Sequence, residues 1–249
     1  MSGHNRWSKI KHKKEAMGAS KGKLFTKLIK EITVAARMGG GDPAGNARLR
    51  AAMDAAKEAN MPADNIARAV KKGTGELEGV HYDEVHYEGY GPAGVALIVE
   101  CLTDNTNRTA TEIRTAFSKG GGHLAAVGAV AWKFERRGVI EVRAGPTEDQ
   151  VTEAAIDAGA EEVVDHGADG FEVDTHPEDL HGVATGLEQR GLRLGARKLT
   201  FVPRDTVKVT DPEQAAHLLR LLALLDDQDD VQAVHADAEI EDQLLERLG

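Results

Sequence analysis

The pattern of apolar residues changes at residues 73–75, and this change constrains the fold more than any other feature of the sequence. Before it, apolar side chains between residues 24 and 32 recur at the spacing of a helix face. After it, residues 81–88 alternate between polar and apolar side chains, and residues 95–101 are apolar except for Glu100. Both patterns are typical of strands. We therefore predict an α+β fold that begins with a helical domain.

Three helices are predicted within residues 1–78. The first is followed by Asp42 and Pro43, residue types suited to cap and to open a second helix. A third is predicted from Pro62 to Gly73, because glycine is favoured at the left-handed position that ends a helix. Basic side chains occur on each helix, so we expect a small basic helical domain.

A self-contained unit is predicted over residues 136–204. Its elements follow the order strand, helix, strand, strand, helix, strand, which is the order of a ferredoxin-like domain. Thr147 and Gln150 have the spacing of a capping box at the start of the first of these helices. This region is predicted to be a ferredoxin-like α+β domain.

The remaining domain is predicted to consist of the two segments on either side of that unit, residues 79–135 and residues 205–249. A strand is predicted at residues 129–134, just before the unit, and Asp211 with Pro212 predicts a helix after it. The chain would then have three domains, with the ferredoxin-like domain inserted in a second α+β domain.

Charge is segregated along the chain. Residues 1–75 carry sixteen Lys and Arg against six Asp and Glu, whereas residues 76–249 carry fifteen against thirty-five. The net charge of −10 therefore hides a basic segment of +10 and an acidic one of −20. Such asymmetry predicts a domain that faces nucleic acid, attached to a body held away from the polyanion.

Cations are most concentrated in the first fourteen residues, and we call residues 6–14 the basic arm. Neutralising several phosphates at once would make binding steeply dependent on salt. Trp7 is suited to stack on an unpaired base, and the alternative is that it packs against Ile10 or the helical core. The predicted nucleic-acid-binding residues are Arg6, Trp7, Lys9, Lys11, His12, Lys13, Lys14, Lys21, Lys23, Arg48, Arg50, Lys71 and Lys72.

A second polar segment lies between a predicted buried strand and a helix, at residues 103–109. The side chains of Asp104, Asn105, Asn107 and Arg108 are a candidate partner surface. The alternative is turn chemistry, in which asparagine and aspartate close a turn and cap the helix near Asn107.

Catalytic and metal chemistry are not predicted. The ten histidines include no pair at helical spacing, and Cys101 is the single cysteine, so we expect no metal and no cofactor. No recognisable nucleophile motif occurs, and we predict a protein that is not an enzyme. The longest apolar run, at residues 218–225 and broken only by Arg220, is far shorter than a membrane span of about 18 residues. We expect a cytoplasmic protein without a membrane partner.

Several motifs, in order, resemble those of the YebC family. They are Gly3-His4 with Trp7, Ile10-Lys11-His12-Lys13-Lys14, Gly40-Gly41-Asp42-Pro43, Asn60-Met61-Pro62, Lys72-Gly73-Thr74-Gly75, Tyr87-Glu88-Gly89-Tyr90-Gly91-Pro92, Leu102-Thr103-Asp104-Asn105, Asn107-Arg108-Thr109 and Val130-Ala131-Trp132. The resemblance implies three domains, a helical one followed by two α+β domains with one inserted in the other. This chain departs from the usual pattern of the family at residues 122–127.

The resemblance implies a regulator of gene expression but divides over its nucleic acid. The family is described as probable DNA-binding transcriptional regulators, whereas its mitochondrial branch is described as translational activators and its bacterial members resemble ribosome-associated factors. We favour a translation factor that binds ribosomal RNA, with ribosomal proteins as further partners. No clear helix-turn-helix is predicted, and an acidic body would be repelled by DNA lying along it. A DNA-binding transcriptional regulator is the alternative.

Overall fold

The computed structural model describes residues 21–241 and 244–245, which form two compact units. Glu135–Val202 form one, here called the insert unit. The described residues before and after it form the other, here called the body unit. The predicted α+β fold, with an N-terminal helical domain and two further α+β domains, is confirmed. The limits predicted for the helical domain stay a prediction, because that domain is continuous with the rest of the body unit.

The body unit begins with three helices. They are α1 (Lys21–Gly39), α2 (Ala47–Glu58) and α3 (Ala63–Thr74). Helix α1 packs against both of the others, and Ile32, Ala35 and Leu49 are fully buried between them. Burying this apolar face supplies most of the stability of helices as short as α2 and α3.

The second helix begins later than predicted because Asn46, and not Asp42, is its N-cap. The Asn46 side chain accepts a hydrogen bond from the Leu49 N–H at 3.0 Å and donates to the carbonyls of Ala35 and Gly40. Asp42 instead accepts from the Ala44 N–H in a local turn. The buried asparagine therefore satisfies backbone groups on both sides of the connection, which a residue at position 42 does not do.

Gly73 lies inside α3 and does not end it, contrary to the prediction. A Cβ atom at this position would lie 2.4 Å from the carbonyl oxygen of Thr33 in α1. The left-handed residue that follows α3 is Gly75, with a φ of 82°. Glycine is thus required at 73 for the close approach of two helices and at 75 for its backbone conformation.

An antiparallel sheet of order β3-β1-β2-β9 forms the rest of the body unit, with helices α4 and α7 packed on it. Its core includes Leu97, Val99, Phe117 and Leu221, all fully buried. A short parallel pair, β8 and β10, lies outside this sheet. The elements are β1 (Asp83–Tyr90), β2 (Ala96–Thr103), α4 (Thr106–Lys119), β3 (His123–Leu124), β8 (Val207–Val209), α7 (Pro212–Asp226), β9 (Val231–Ala236) and β10 (Ala238–Ile240).

The insert unit has the predicted ferredoxin-like order. Its sheet runs β5-β6-β4-β7, so the first and third strands of the unit lie in the middle. The capping box predicted for Thr147 and Gln150 is present at the start of its first helix. The elements are β4 (Phe134–Val142), α5 (Glu148–Ala158), β5 (Glu162–Asp165), β6 (Phe171–Thr175), α6 (Leu180–Gln189) and β7 (Leu194–Pro203).

The stability of the insert unit is expected to depend on pH through Asp174. This residue is 2% exposed, and its burial, together with the charge of Glu172, raises the pKa of its carboxyl to about 7. The folded unit therefore binds a proton more tightly than the unfolded chain, in which the pKa is about 4. Stability should fall as the pH rises from about 4 to 7.

Asp174→Asn is accordingly expected to raise the free energy of unfolding of the insert unit by about 2 kcal/mol at pH 8 and to change it little at pH 4. Denaturant unfolding of the full chain, followed by circular dichroism at both pH values, measures the difference. Glu178→Gln, at an exposed position, is the matched control. An equal effect of Asp174→Asn at pH 4 and pH 8 would show that the titration of this carboxyl does not control stability.

Among the described helices, none carries an apolar run of the length that a bilayer requires.

Candidate nucleic-acid interface

The predicted basic arm lies outside the described residues. Its members in the prediction are Arg6, Trp7, Lys9, Lys11, His12, Lys13 and Lys14. Their role in binding nucleic acid stays a prediction. The remaining predicted residues belong to the three helices and can be placed one by one.

One face of α1 is held by the acidic segment that follows α7. Lysines at three positions of α1, spaced by four and then three residues, each contact an aspartate at residues 226–230. The pairs are Lys23 with Asp227, Lys27 with Asp226 and Lys30 with Asp230. We call these the lysine–aspartate contacts. The predicted binding residue Lys23 is therefore already paired within the protein.

Asp230 is the most heavily bonded carboxylate of these contacts, and its side chain is 4% exposed. One oxygen accepts from Lys30 at 2.6 Å, and the other accepts from Arg108 and Thr109 at 2.7 Å each and from Thr103 at 3.0 Å. Burial opposes the charge, but the hydrogen bonds from Arg108, Lys30 and Thr109 outweigh it and hold the pKa of the Asp230 carboxyl well below its usual range. Asp230 therefore joins α1, β2 and α4 as a charged group.

The candidate partner surface at residues 104–108 is largely engaged in the same network. Arg108 contacts both Asp104 and Asp230 at 2.7 Å, and the Asn105 side chain caps α4 by accepting from the Arg108 N–H. Asn107 is exposed in the first turn of α4. The cap is Asn105 and not Asn107. The alternative interpretation, turn and cap chemistry, accounts for Asn105 and Arg108.

The two arginines predicted in α2 stabilise the fold locally. Arg48 forms ion pairs with Glu31 at 2.7 Å and with Glu84 at 2.8 Å, which join α2 to α1 and to β1. Arg50 donates to the carbonyl of Pro43 at 2.9 Å and to that of Ala44 at 3.0 Å. Both guanidinium groups are thus occupied by the protein's own acceptors.

Lys21, Lys71 and Lys72 are exposed, but they lie at two separate places. Lys21 begins α1, whereas Lys71 and Lys72 are in the last turn of α3, next to the point where Gly73 packs against Ala36. Fifteen residues of helix separate Lys21 from Ala36, which is a distance of about 20 Å. Lys21 therefore lies well apart from Lys71 and Lys72.

Helices α2 and α3 are joined by residues 59–62, with Asn60 in a left-handed conformation at a φ of 58°. A connection of about four residues has the length of the turn in a helix-turn-helix. The sequence analysis predicted no clear motif of this kind, and the structure provides one candidate. Its second helix exposes Arg68, Lys71 and Lys72.

The loop of residues 125–132 was not predicted as a site, and part of it was predicted to be a strand. Its backbone is held by the buried carboxylate of Glu88, which accepts from the N–H groups of Gly128 and Val130 at 2.6 Å and of Ala131 at 2.9 Å. Because these three N–H groups bind Glu88, they cannot form the hydrogen bonds of a strand. The strand β4 begins only at Phe134. The strand predicted at residues 129–134 is therefore wrong for most of its length.

The carboxylate of Glu88 stays ionised in this setting. Burial works to raise its pKa, but the three backbone donors outweigh burial and lower it. A glutamate in the middle of a strand, followed by a glycine-rich segment, is the signal in the sequence that could have indicated this arrangement. The same loop exposes Val127 and Trp132.

The described residues include one group of side chains with metal-ligand chemistry, Glu84, His86 and Glu100. The register of β1 and β2 brings them together, which spacing along the sequence could not show. His86 Nε2 lies 3.8 Å from an oxygen of each carboxylate, while Arg48 pairs with Glu84 and His235 with Glu100. Both carboxylates of this group therefore also contact side chains outside it.

Two consecutive stretches of the chain match known protein domains. Residues 5–76 match the TACO1/YebC protein N-terminal domain, and residues 82–238 match the TACO1/YebC second and third domain. A conserved hypothetical protein from Aquifex aeolicus has a similar structure, with a TM-score of 0.83 at 48% sequence identity, covering 90% of this chain and 92% of that one.

Relatives extend over the full length of the chain. A protein of Myxococcus xanthus named probable transcriptional regulatory protein is 60% identical and covers 100% of this chain and 99% of its own. A protein of Sulfurihydrogenibium with the same description is 52% identical, with the same coverage. These matches confirm the family resemblance seen in the motifs. The chain belongs to the TACO1/YebC family.

Proposed function

We propose that this protein regulates gene expression without catalysing a reaction, and that it does so by binding RNA of the ribosome through its basic arm and helical domain. The names of the relatives support a regulatory role. The segregation of charge supports a nucleic-acid partner for the N-terminal part of the chain.

The observation that favours RNA is the set of lysine–aspartate contacts. They occupy one basic face of α1, so that Lys21 at the start of α1 is separate from the exposed cations of α3, which are Arg68, Lys71 and Lys72. A straight duplex would meet the acidic segment at residues 226–230 when it lay along α1. Folded RNA presents phosphates at irregular positions and is recognised largely by shape, which suits separate contact points. A ribonucleoprotein also offers basic protein surfaces, which would attract the acidic part of the chain, residues 76–249.

A DNA-binding transcriptional regulator is the second candidate. It is favoured by the four-residue connection between α2 and α3, and by the exposed cations of α3. In this arrangement α3 would enter the major groove, and Arg68, Lys71 and Lys72 would contact phosphates or base edges. The names of the relatives agree with this candidate.

Co-sedimentation with ribosomes on a density gradient distinguishes the two candidates. We expect the natural chain to travel with ribosomes at low salt and to be released as the salt concentration rises. In parallel, binding to duplex DNA of random sequence is measured at the same ionic strengths. A chain that stays at the top of the gradient at low salt, yet binds duplex DNA, would contradict the RNA proposal and support the DNA candidate.

A further inference from the structure

Trp132 is exposed to an unusual degree for a tryptophan. Its residue exposure is 68%, although tryptophan is among the residues most buried on average. The side chain is nevertheless fixed, because its indole N–H donates to the carbonyl of Ala129 at 3.1 Å. A large aromatic surface is thus held in one orientation toward the solvent.

The loop that carries Trp132 is held at several points. The Glu88 carboxylate binds three of its backbone N–H groups, and the Tyr90 hydroxyl donates to the Ala129 carbonyl at 3.2 Å. Gly128, with a φ of 85°, allows the backbone to turn toward Glu88. The Ala129 carbonyl therefore accepts from both Tyr90 and Trp132. An exposed ring on a loop held in this way loses little conformational freedom when it binds a ligand.

The surroundings of the ring favour a planar aromatic partner. The Lys133 ammonium lies over the ring, 5.9 Å from its centroid, and is kept there by Asp237 at 2.8 Å. The backbone N–H of Arg204 donates to the Lys133 carbonyl at 2.8 Å, which holds the backbone at this end of the loop. Because the indole N–H is satisfied internally, the ring offers stacking area and no hydrogen-bond donor. Such a surface suits a nucleobase, because base stacking on an aromatic ring needs no hydrogen bond from the ring.

We propose that Trp132 is a stacking site for an unpaired nucleobase. This inference rests on the proposed function, since it assigns to the body unit a contact with the nucleic acid that the basic arm binds. It predicts that single-stranded and looped RNA are bound more tightly than duplex RNA of equal length.

Affinity for labelled RNA, measured by fluorescence anisotropy, tests this site in the full-length chain. Trp132→Ala is expected to weaken binding of an unstructured single strand about five- to a hundredfold, as base stacking on aromatic side chains does elsewhere. Binding of a fully paired duplex should change less than about twofold, because its bases are already stacked. Val127→Ala is the matched control, since Val127 is 92% exposed on the same loop. It should leave both affinities unchanged.

A second readout uses the fact that the chain has two tryptophans, Trp7 and Trp132. In a Trp7→Phe variant, Trp132 is the single indole fluorophore, and its emission should be quenched by the single strand but not by the duplex. Unchanged single-strand affinity of Trp132→Ala would overturn the stacking site while leaving the proposed function in place. If Trp132→Ala lost co-sedimentation with ribosomes but kept its affinity for the single strand, the stacking site would be overturned in favour of a contact between Trp132 and a protein. A natural chain that binds neither RNA would overturn both the site and the proposed function.

Discussion

Replacing Lys11, Lys13 and Lys14 together by alanine is expected to weaken nucleic-acid binding on the order of a hundredfold near physiological salt. Each phosphate neutralised by a cation contributes about 0.7 to 0.9 to the slope of log affinity against log salt concentration. Loss of three contacts should therefore flatten this slope by about 2 to 3. Titrations of the natural and variant chains over a series of salt concentrations give both quantities.

Two further variants make this result specific. Replacing the same three lysines by arginine keeps their charge, so the salt slope should stay near that of the natural chain. Replacing Lys71 and Lys72 by alanine removes the exposed pair at the end of α3 and should flatten the slope by less than the triple alanine variant. Retained affinity with an unchanged slope in the triple alanine variant would refute the role of the basic arm.

Replacing Asp230 by alanine is expected to lower the free energy of unfolding of the body unit by about 3 to 5 kcal/mol. Removing one partner of a buried ion pair leaves the other charge uncompensated, and here Lys30 is 7% exposed. Thr103 and Thr109 lose an acceptor as well. Both tryptophans of the chain lie outside residues 135–202, so denaturant unfolding followed by tryptophan fluorescence avoids a signal from the insert unit.

Asp227→Ala is the matched control for this prediction. It breaks the exposed pair of Lys23 with Asp227, in which the side chains are 42% and 72% exposed. Surface pairs of this kind contribute less than about 1 kcal/mol. If Asp230→Ala cost no more than Asp227→Ala, the buried pair would have no net role in holding α1 on the sheet.

The pH dependence of the same contact has a defined sign. Because the pKa of Asp230 is depressed in the folded protein, its contribution is fully present above the unfolded value of about 4 and is lost as the pH falls toward the folded value. As the pH falls, the natural chain should therefore lose an amount of stability that Asp230→Ala does not lose. This is opposite in direction to the effect of Asp174, whose raised pKa weakens the insert unit as the pH rises.

The sequence was sufficient to predict those elements whose local chemistry and packing agree. The capping box at Thr147 and the helix opened by Asp211 and Pro212 both form where they were predicted. The predictions at Asp42 and Gly73 were wrong because contacts from distant residues decide those positions. The cap Asn46 donates to the carbonyl of Ala35, and Gly73 leaves room for the carbonyl of Thr33. Neither contact can be recognised from neighbouring residues alone.

The candidate interface was harder to predict than the fold. Charge counting treated Lys23 and Arg48 as available cations, yet both are paired with carboxylates that are distant in sequence. Trp132 was recognised only as part of a family motif, since its exposure depends on the path of a loop fixed by Glu88. Burial and pairing are properties of the tertiary structure, and composition does not contain them.

The way in which Glu88 holds its loop has a consequence for which residues of the loop can be exchanged. Its carboxylate binds main-chain N–H groups, so the path of the loop does not depend on the side chains at residues 125–127. Mutations there should cost little stability, with Gly128 as an exception because of its positive φ. Residues 125–127 can therefore be exchanged in this chain while the position of the aromatic ring stays the same.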